Sequence, residues 1–258
     1  MQILNQDIKD KTFRRVYLLF GDEPFLVNSY KKRLREAIAG DDTMNYNYFE
    51  GKGPDVKEII SLADTMPFFA ERRLVLIDGS GFFKSSAPEE LVNYIPEIPE
   101  STCMVFVENE VDKRNKLYKK VKDNGYAAEL KKQDADQLMR WAAGILAKEG
   151  RKIRPGDMEL FLTKTGTDMG NIRMELEKLI SYTVGRDVVT AADIQAVCTT
   201  QTTNKIFDMV RAVTEKNQRK ALDLYNDLLT LREPPMRILF LLSKQFRQMC
   251  LAKKMSEE

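Results

Sequence analysis

The 258 residues include no histidine. That removes Ser-His-Asp and Cys-His catalysis, histidine metal sites and histidine pH switches together. The stretches weighed for chemistry are a glycine turn and two carboxylates at strand ends. In a nucleotide-binding α/β protein the first strand-to-helix turn reads G-x-x-x-x-G-K-[ST], and its glycines let backbone N–H groups wrap the phosphates. Here the turn reads Gly21-Asp22-Glu23-Pro24-Phe25-Leu26-Val27-Asn28, without the second Gly, the Lys or the Ser/Thr. Asp22 and Glu23 put negative charge where phosphates would sit, and Pro24 removes an N–H donor. Gly21, Asp22, Glu23 and Pro24 are therefore read as a degenerate phosphate loop. The pair Gly79 and Gly81 lacks the further Gly of a dinucleotide fingerprint. Asp78 and Glu108 each end an apolar run, as a magnesium-binding acid would. No third ligand accompanies them, so they read as solvated turn residues. No catalytic residue, cofactor or metal is expected.

Binding offers more than catalysis. Thr65-Met66-Pro67-Phe68-Phe69 falls between a helical pattern and a strand pattern, so it should be a surface turn. Two adjacent large apolar residues in a turn cannot easily share one core. Either one Phe plugs the edge of the sheet, or the pair is a plug for a partner. Phe82-Phe83 poses the same question, with the core as the simpler answer. Two basic stretches invite a nucleic-acid reading. Lys113, Arg114, Lys116, Lys119, Lys120 and Lys122 lie on one helical run. Arg211, Lys216, Arg219, Lys220, Arg232, Arg237, Lys244 and Arg247 lie in the last segment. The first reads more simply as a solvated helix face. The second lacks interleaved aromatics and can add only sequence-independent attraction.

The elements that position these residues alternate at first. Val16–Phe20 is a continuous apolar run, as in a strand buried on both faces. A helix follows, with Asp22 as its N-cap and Leu26, Tyr30, Leu34 and Ile38 at helical spacing, stopped by Gly40. Tyr46–Phe49 is a weaker strand. Asp55 opens a helix with an apolar face of Val56, Ile59, Ile60, Ala63 and Met66, ended by Pro67. Leu74–Ile77, Cys103–Val107 and Tyr126–Leu130 read as further strands, with helices over Pro88–Tyr94 and Lys113–Lys122 between them. Five strands alternating with helices predict a doubly wound parallel α/β sheet. The pattern then turns all-helical. Helices are expected around Leu138–Leu146 and after Pro155, Asp168 and Thr190. A polar linker at Thr199–Asn204 follows, then helices at Ile206–Thr214, Gln218–Leu231 and Pro235 to about Lys254. The expected division is 1–130, 131–202 and 203–258.

Composition sets outer limits. Hydrophobic residues are 43% and charged residues 31%, a foldable balance. The longest apolar runs fall far short of the ~18–20 residues that span a bilayer. No leader pattern is visible, and Cys103, Cys198 and Cys250 form no C-x-x-C pair, so a reducing cytoplasm is expected. Net charge is +2, with 19 basic against 22 acidic groups in residues 1–130 and 11 against 7 in residues 203–258. That is no strongly basic nucleic-acid binder.

Four runs resemble one family. They are Tyr17 to Leu26, Met66 to Val75, Asp168 to Leu179, and Asn204-Lys205-Ile206-Phe207-Asp208. In this order they are similar to the delta subunit of bacterial DNA polymerase III, a clamp-loader component. The resemblance implies an AAA+-type architecture: a RecA-like α/β domain, a small helical lid domain, and a helical collar domain that is shortened here. It implies a protein that hydrolyses no ATP and opens the ring-shaped sliding clamp. Its partners would be the clamp (beta subunit), the delta prime and gamma/tau subunits through the collar, and primer-template DNA only within the assembled loader. The clamp-binding element would be Thr65, Met66, Pro67, Phe68 and Phe69, with Thr65 where such peptides carry Gln and Phe68 where they carry Leu. Gly170-Asn171-Ile172-Arg173 resembles a lid motif whose Arg touches nucleotide in active subunits. Without a phosphate loop, Arg173 becomes a subunit-interface or surface residue. The alternatives are an ATPase of the same class and a sequence-independent DNA-binding module.

Overall fold

Apolar runs without alternation dictate strands covered on both faces, and they form the sheet seen in this computed structural model. It describes residues 1–84, 86–199, 202–230 and 233–257. The chain divides into two compact units, Met1–Lys132 and Gln133–Glu258.

In the first unit the elements are α1 (Gln2–Asp10), β1 (Val16–Phe20), α2 (Pro24–Ile38), β2 (Tyr46–Glu50), α3 (Val56–Asp64), β3 (Arg73–Asp78), α4 (Glu89–Tyr94), β4 (Thr102–Glu108), α5 (Lys116–Asn124) and β5 (Tyr126–Glu129). The five strands form one sheet in the order β2-β3-β4-β1-β5, with every pair parallel. β1, in contact with β4 and β5, is buried throughout, and so is β4. Side chains alternate across the pleat. Val16, Leu18, Phe20, Val75, Ile77, Met104 and Phe106 form one cluster with Ile59 and Ala63 of α3, Leu91 of α4 and Val121 of α5. Phe82 and Phe83 belong to the same cluster, so that pair is core. α2 packs on β1, β3 and β4. This is the doubly wound α/β sheet expected from the sequence.

Local departures have simple causes. The N-cap of α2 is Glu23, whose carboxylate accepts from the Phe25 N–H, and not Asp22. Asp22 instead accepts from the Lys132 N–H at 2.9 Å. α3 stops at Asp64, so Met66 lies beyond the helix and is 82% exposed rather than on its buried face. The basic helix starts later than expected because Asn115 caps it, accepting from the Leu117 N–H at 2.7 Å. α1 has no counterpart in the sequence reading. It is tied down by Asp7, which accepts from the Tyr17 hydroxyl at 2.8 Å and from Arg14 Nε at 3.0 Å.

The second unit holds α6 (Ala135–Lys148), β6 (Lys152–Ile153), α7 (Pro155–Thr165), α8 (Met169–Tyr182), β7 (Val188–Val189), α9 (Ala191–Val197), α10 (Thr202–Thr214), α11 (Gln218–Thr230) and α12 (Pro235–Glu257). Leu138, Ala142, Phe161, Ile172, Leu176 and Leu179 are buried, as their helical spacing requires. Asp134 with Gln137, and Thr190 with Asp193, close capping boxes on α6 and α9. β6 and β7 make a two-residue parallel pair too short to announce itself. Part of the linker, Thr200 and Gln201, lies outside the described residues, as do Leu231 and Arg232. α10 begins at Thr202, inside the stretch read as linker. Ile206, Met209, Leu228 and Ile238 form a small core among the last three helices. Leu239, Phe240, Phe246 and Met249 of α12 are exposed.

Candidate functional site

The turn between α3 and β3 carries the most exposed apolar side chains of the first unit. Phe69 is 96% exposed and Phe68 is 55% exposed. Neither ring plugs the sheet core. They meet edge to face, with centroids 4.5 Å apart. The turn is shaped by more than its own residues. Thr65 Oγ1 donates to the Ser61 carbonyl at 2.9 Å and its N–H to the Leu62 carbonyl, which finishes α3. Phe69 has φ +52°, a left-handed conformation that is uncommon for a bulky side chain.

Two buried residues outside the predicted element hold it. Asn45, just before β2, pairs its amide with the Phe68 backbone. Its Oδ1 accepts from the Phe68 N–H at 2.7 Å, and its Nδ2 donates to the Phe68 carbonyl at 2.8 Å. Arg73 opens β3 and is only 6% exposed. Its Nε donates to the Thr65 carbonyl at 2.9 Å and its Nη2 to the Met66 carbonyl at 3.4 Å. Its Nη1 reaches the Asn47 Oδ1 at 2.9 Å and the Met44 carbonyl at 3.4 Å. All four acceptors are neutral oxygens, so a buried cation is matched by dipoles that also fix the turn. Sequence reasoning missed both residues. An Arg beside a strand ordinarily reads as surface charge, and Asn45 is separated from the turn by more than twenty residues.

At the other predicted site, Gly21 has φ +143°, and a Cβ there would lie 2.0 Å from the Leu130 carbonyl oxygen. The segment after β5 therefore runs against the turn. The Leu130 N–H donates to the Phe20 carbonyl at 2.6 Å, and the Glu23 N–H donates to the Leu130 carbonyl at 3.2 Å. Glu23 is buried. Asp78 and Glu108 also have structural partners. Asp78 pairs with Lys31 at 2.8 Å and accepts from the Tyr48 hydroxyl at 3.3 Å. Glu108 accepts from the Ser80 hydroxyl and from the Gly81 N–H, at 3.0 and 3.2 Å to its two oxygens. Burial pushes the Glu108 carboxyl up, against those donors. Among the described residues no group of His, Cys, Asp and Glu is arranged to hold a metal ion, and no helix is long and apolar enough to cross a membrane.

The basic run is partly neutralised. Lys113 pairs with Glu129 at 2.7 Å, Arg114 with Asp112 at 2.9 Å and Lys116 with Glu89 at 3.7 Å. In the last segment Arg237 pairs with Glu233 at 3.0 Å. Arg173 sits on α8 and pairs with Glu177 one turn on, at 2.7 Å.

An all-parallel β2-β3-β4-β1-β5 sheet flanked by helices, followed by a helical unit, defines a RecA-like α/β protein. Comparison with known proteins makes the assignment narrower. The model of a family described as DNA polymerase III, delta subunit, matches residues 17–131, and that of the C-terminal domain of the DNA polymerase III delta subunit matches residues 203–258. The chain belongs to the DNA polymerase III delta-subunit family. DNA polymerase III subunit delta of Bacillus subtilis is 24% identical over 265 residues, spanning 98% of this chain and 76% of that protein. A probable DNA polymerase III subunit delta of Aquifex aeolicus is 20% identical over 256 residues, spanning 95% and 72%. The solved structure of the Bacillus subtilis DNA clamp loader delta protein superposes with a TM-score of 0.77 at 24% identity, covering 99% of this chain and 79% of that one.

Proposed function

We propose that this chain is the clamp-opening, non-catalytic subunit of a clamp loader, and that Thr65, Met66, Pro67, Phe68 and Phe69 are its contact with the sliding clamp. The observation that carries the reading is the exposure of Phe68 and Phe69 together on a turn pinned from beneath by buried side chains. Phe69, almost fully exposed, forgoes about 1.5–3 kcal/mol of apolar burial and the half-exposed Phe68 forgoes part of that, which a partner would recover. A rigid presentation lowers the ordering cost of binding. In this reading Met66 and Pro67 line the approach to the two rings. Residues 131–202 act as a lid domain and 203–258 as a collar. The collar joins the delta prime and gamma/tau subunits, and the assembled loader takes primer-template DNA in the cytoplasm. The ion pair with Glu177 leaves Arg173 compatible with a subunit-interface or surface role.

In this reading the chain turns over no ATP, and the Gly21 turn supports it. The Glu23 N–H is taken by the Leu130 carbonyl, the Asp22 carboxylate by the Lys132 N–H, and Pro24 has no N–H to offer a phosphate. The ATPase alternative requires nucleotide binding in a titration. The DNA-module alternative requires tight, steeply salt-dependent binding by the isolated chain.

The test is binding of the chain to the sliding clamp of the same organism, beside Phe68→Ala/Phe69→Ala. Inserted aromatics are hot spots worth ~2–4 kcal/mol each, though not additively. The double variant should weaken binding at least about a hundredfold with its circular dichroism unchanged. Undiminished binding by the double variant would sink the assignment of the turn.

A further inference from the structure

We propose that Asn45 is a positioning residue for partner binding: it holds the Phe68-Phe69 tip in its binding shape before the partner arrives. The inference rests on the clamp-plug reading of that tip.

An Asn side chain offers one acceptor oxygen and a two-donor nitrogen. Asp42 Oδ2, an acceptor only, receives a hydrogen bond from Asn45 Nδ2 at 2.6 Å. That contact fixes which end of the amide is nitrogen. The oxygen must then face the Phe68 N–H, and the second N–H donor must face the Phe68 carbonyl. Asn45 thus pairs with both polar groups of one backbone residue, as the opposing residue of an antiparallel ladder does. Asp42 is itself fixed by the N–H groups of Met44 at 2.7 Å and of Asn45 at 3.2 Å. Asn45 is 1% exposed, and its own carbonyl accepts from the Leu74 N–H at 2.8 Å. The clamp on Phe68 is therefore anchored to the sheet through β3.

The held residue is the one before Phe69, whose φ of +52° a bulky side chain leaves readily when nothing opposes it. Released, the tip samples other conformations, and only a fraction presents both rings. A binding-competent fraction f weakens apparent affinity by the factor f. The loss then appears in the association rate. Removing a ring removes contact in the complex, so it appears in the dissociation rate.

The experiment compares the full chain with Asn45→Ala and Phe69→Ala, using the sliding clamp of the same organism on a sensor surface. Amide exchange of residues 65–70 is measured without clamp. Asn45→Ala should slow association by about tenfold with dissociation within about twofold, and should speed exchange of the Phe68 amide at least about tenfold. Phe69→Ala should raise dissociation. If Asn45→Ala does not fold, Asp42→Ala removes the acceptor that orients the amide and should produce the same pattern more weakly. Unchanged exchange in these variants, or faster dissociation with unchanged association, overturns the inference. An unmutated chain that fails to bind the clamp overturns the plug reading on which it rests. Faster exchange with unaltered association overturns the inference alone.

Discussion

Arg73→Ala should destabilise the first unit by a few kcal/mol. The Arg73 guanidinium makes two close hydrogen bonds, to the Thr65 carbonyl and to Asn47 Oδ1, both at 2.9 Å, and two longer ones at 3.4 Å. Hydrogen bonds to a charged group contribute about 1.5–3 kcal/mol each, so the close pair accounts for about 3–6 kcal/mol. Part is returned, because Arg73→Ala no longer desolvates a cation and the Thr65 carbonyl, at an exposed turn, regains water. A net loss of about 2–4 kcal/mol remains, a large share of a typical stability of about 5–15 kcal/mol. With a urea slope of about 2 kcal/mol/M, the midpoint should fall by about 1–2 M. Amide exchange of β3 and β4 peptides across a urea series reads the first unit. Fluorescence of Trp141, the only tryptophan, reads the second. Arg73→Lys should recover about half at most, because one ammonium cannot span four acceptors in a planar fork. A first-unit shift below about 0.3 M, or full recovery by Lys, would refute the reasoning.

Three further outcomes are expected. Gly21→Ala places a Cβ 2.0 Å from the Leu130 carbonyl at φ +143°, so it should cost at least about 3 kcal/mol; a soluble variant melting within a degree or two of the parent would contradict this. Burial raises the Glu108 carboxyl, so the folded state holds that proton more tightly than the unfolded chain. Its stabilising contribution is full below the ordinary carboxylate pKa of about 4.3 and is lost as pH rises through the raised folded value. Melting temperatures should therefore show the parent losing ground to Glu108→Gln over that window, and a pH-independent difference counts against the reading. Cys103 is pushed up to about 12 and Cys198 to about 11 by burial, whereas Cys250 is exposed. Mild alkylation of the native protein at pH 8 should therefore modify Cys250 alone by mass spectrometry.

The sheet was readable because burial on both faces leaves an uninterrupted apolar run, and β1, β3 and β4 are such runs. The helices of the second unit were readable because their buried stripes keep helical spacing. α1 was not, since its buried residues are Leu4 and Asp7, and an aspartate signals nothing until Tyr17 and Arg14 are known to meet it. The candidate site divides the same way. Two aromatics in a turn are conspicuous in one dimension. Asn45 and Arg73 gain their roles only where β2 and β3 pair side by side, through a contact that local pattern does not carry.

The strand order also governs how the chain emerges during synthesis. β1 ends at Phe20, yet its two neighbours are β4 and β5, with Phe20 opposite Glu108 and Glu129. At about 5–20 residues per second, roughly 4–18 s separate synthesis of β1 from synthesis of β4, the first of its two neighbours to be made. Through that interval Val16–Phe20, the most apolar stretch near the start, has neither ladder partner. The nascent first unit must wait for its last strand before its middle can close. Slowing translation between β1 and β4 would lengthen the exposure, and a chaperone that covers short apolar runs would find its substrate there.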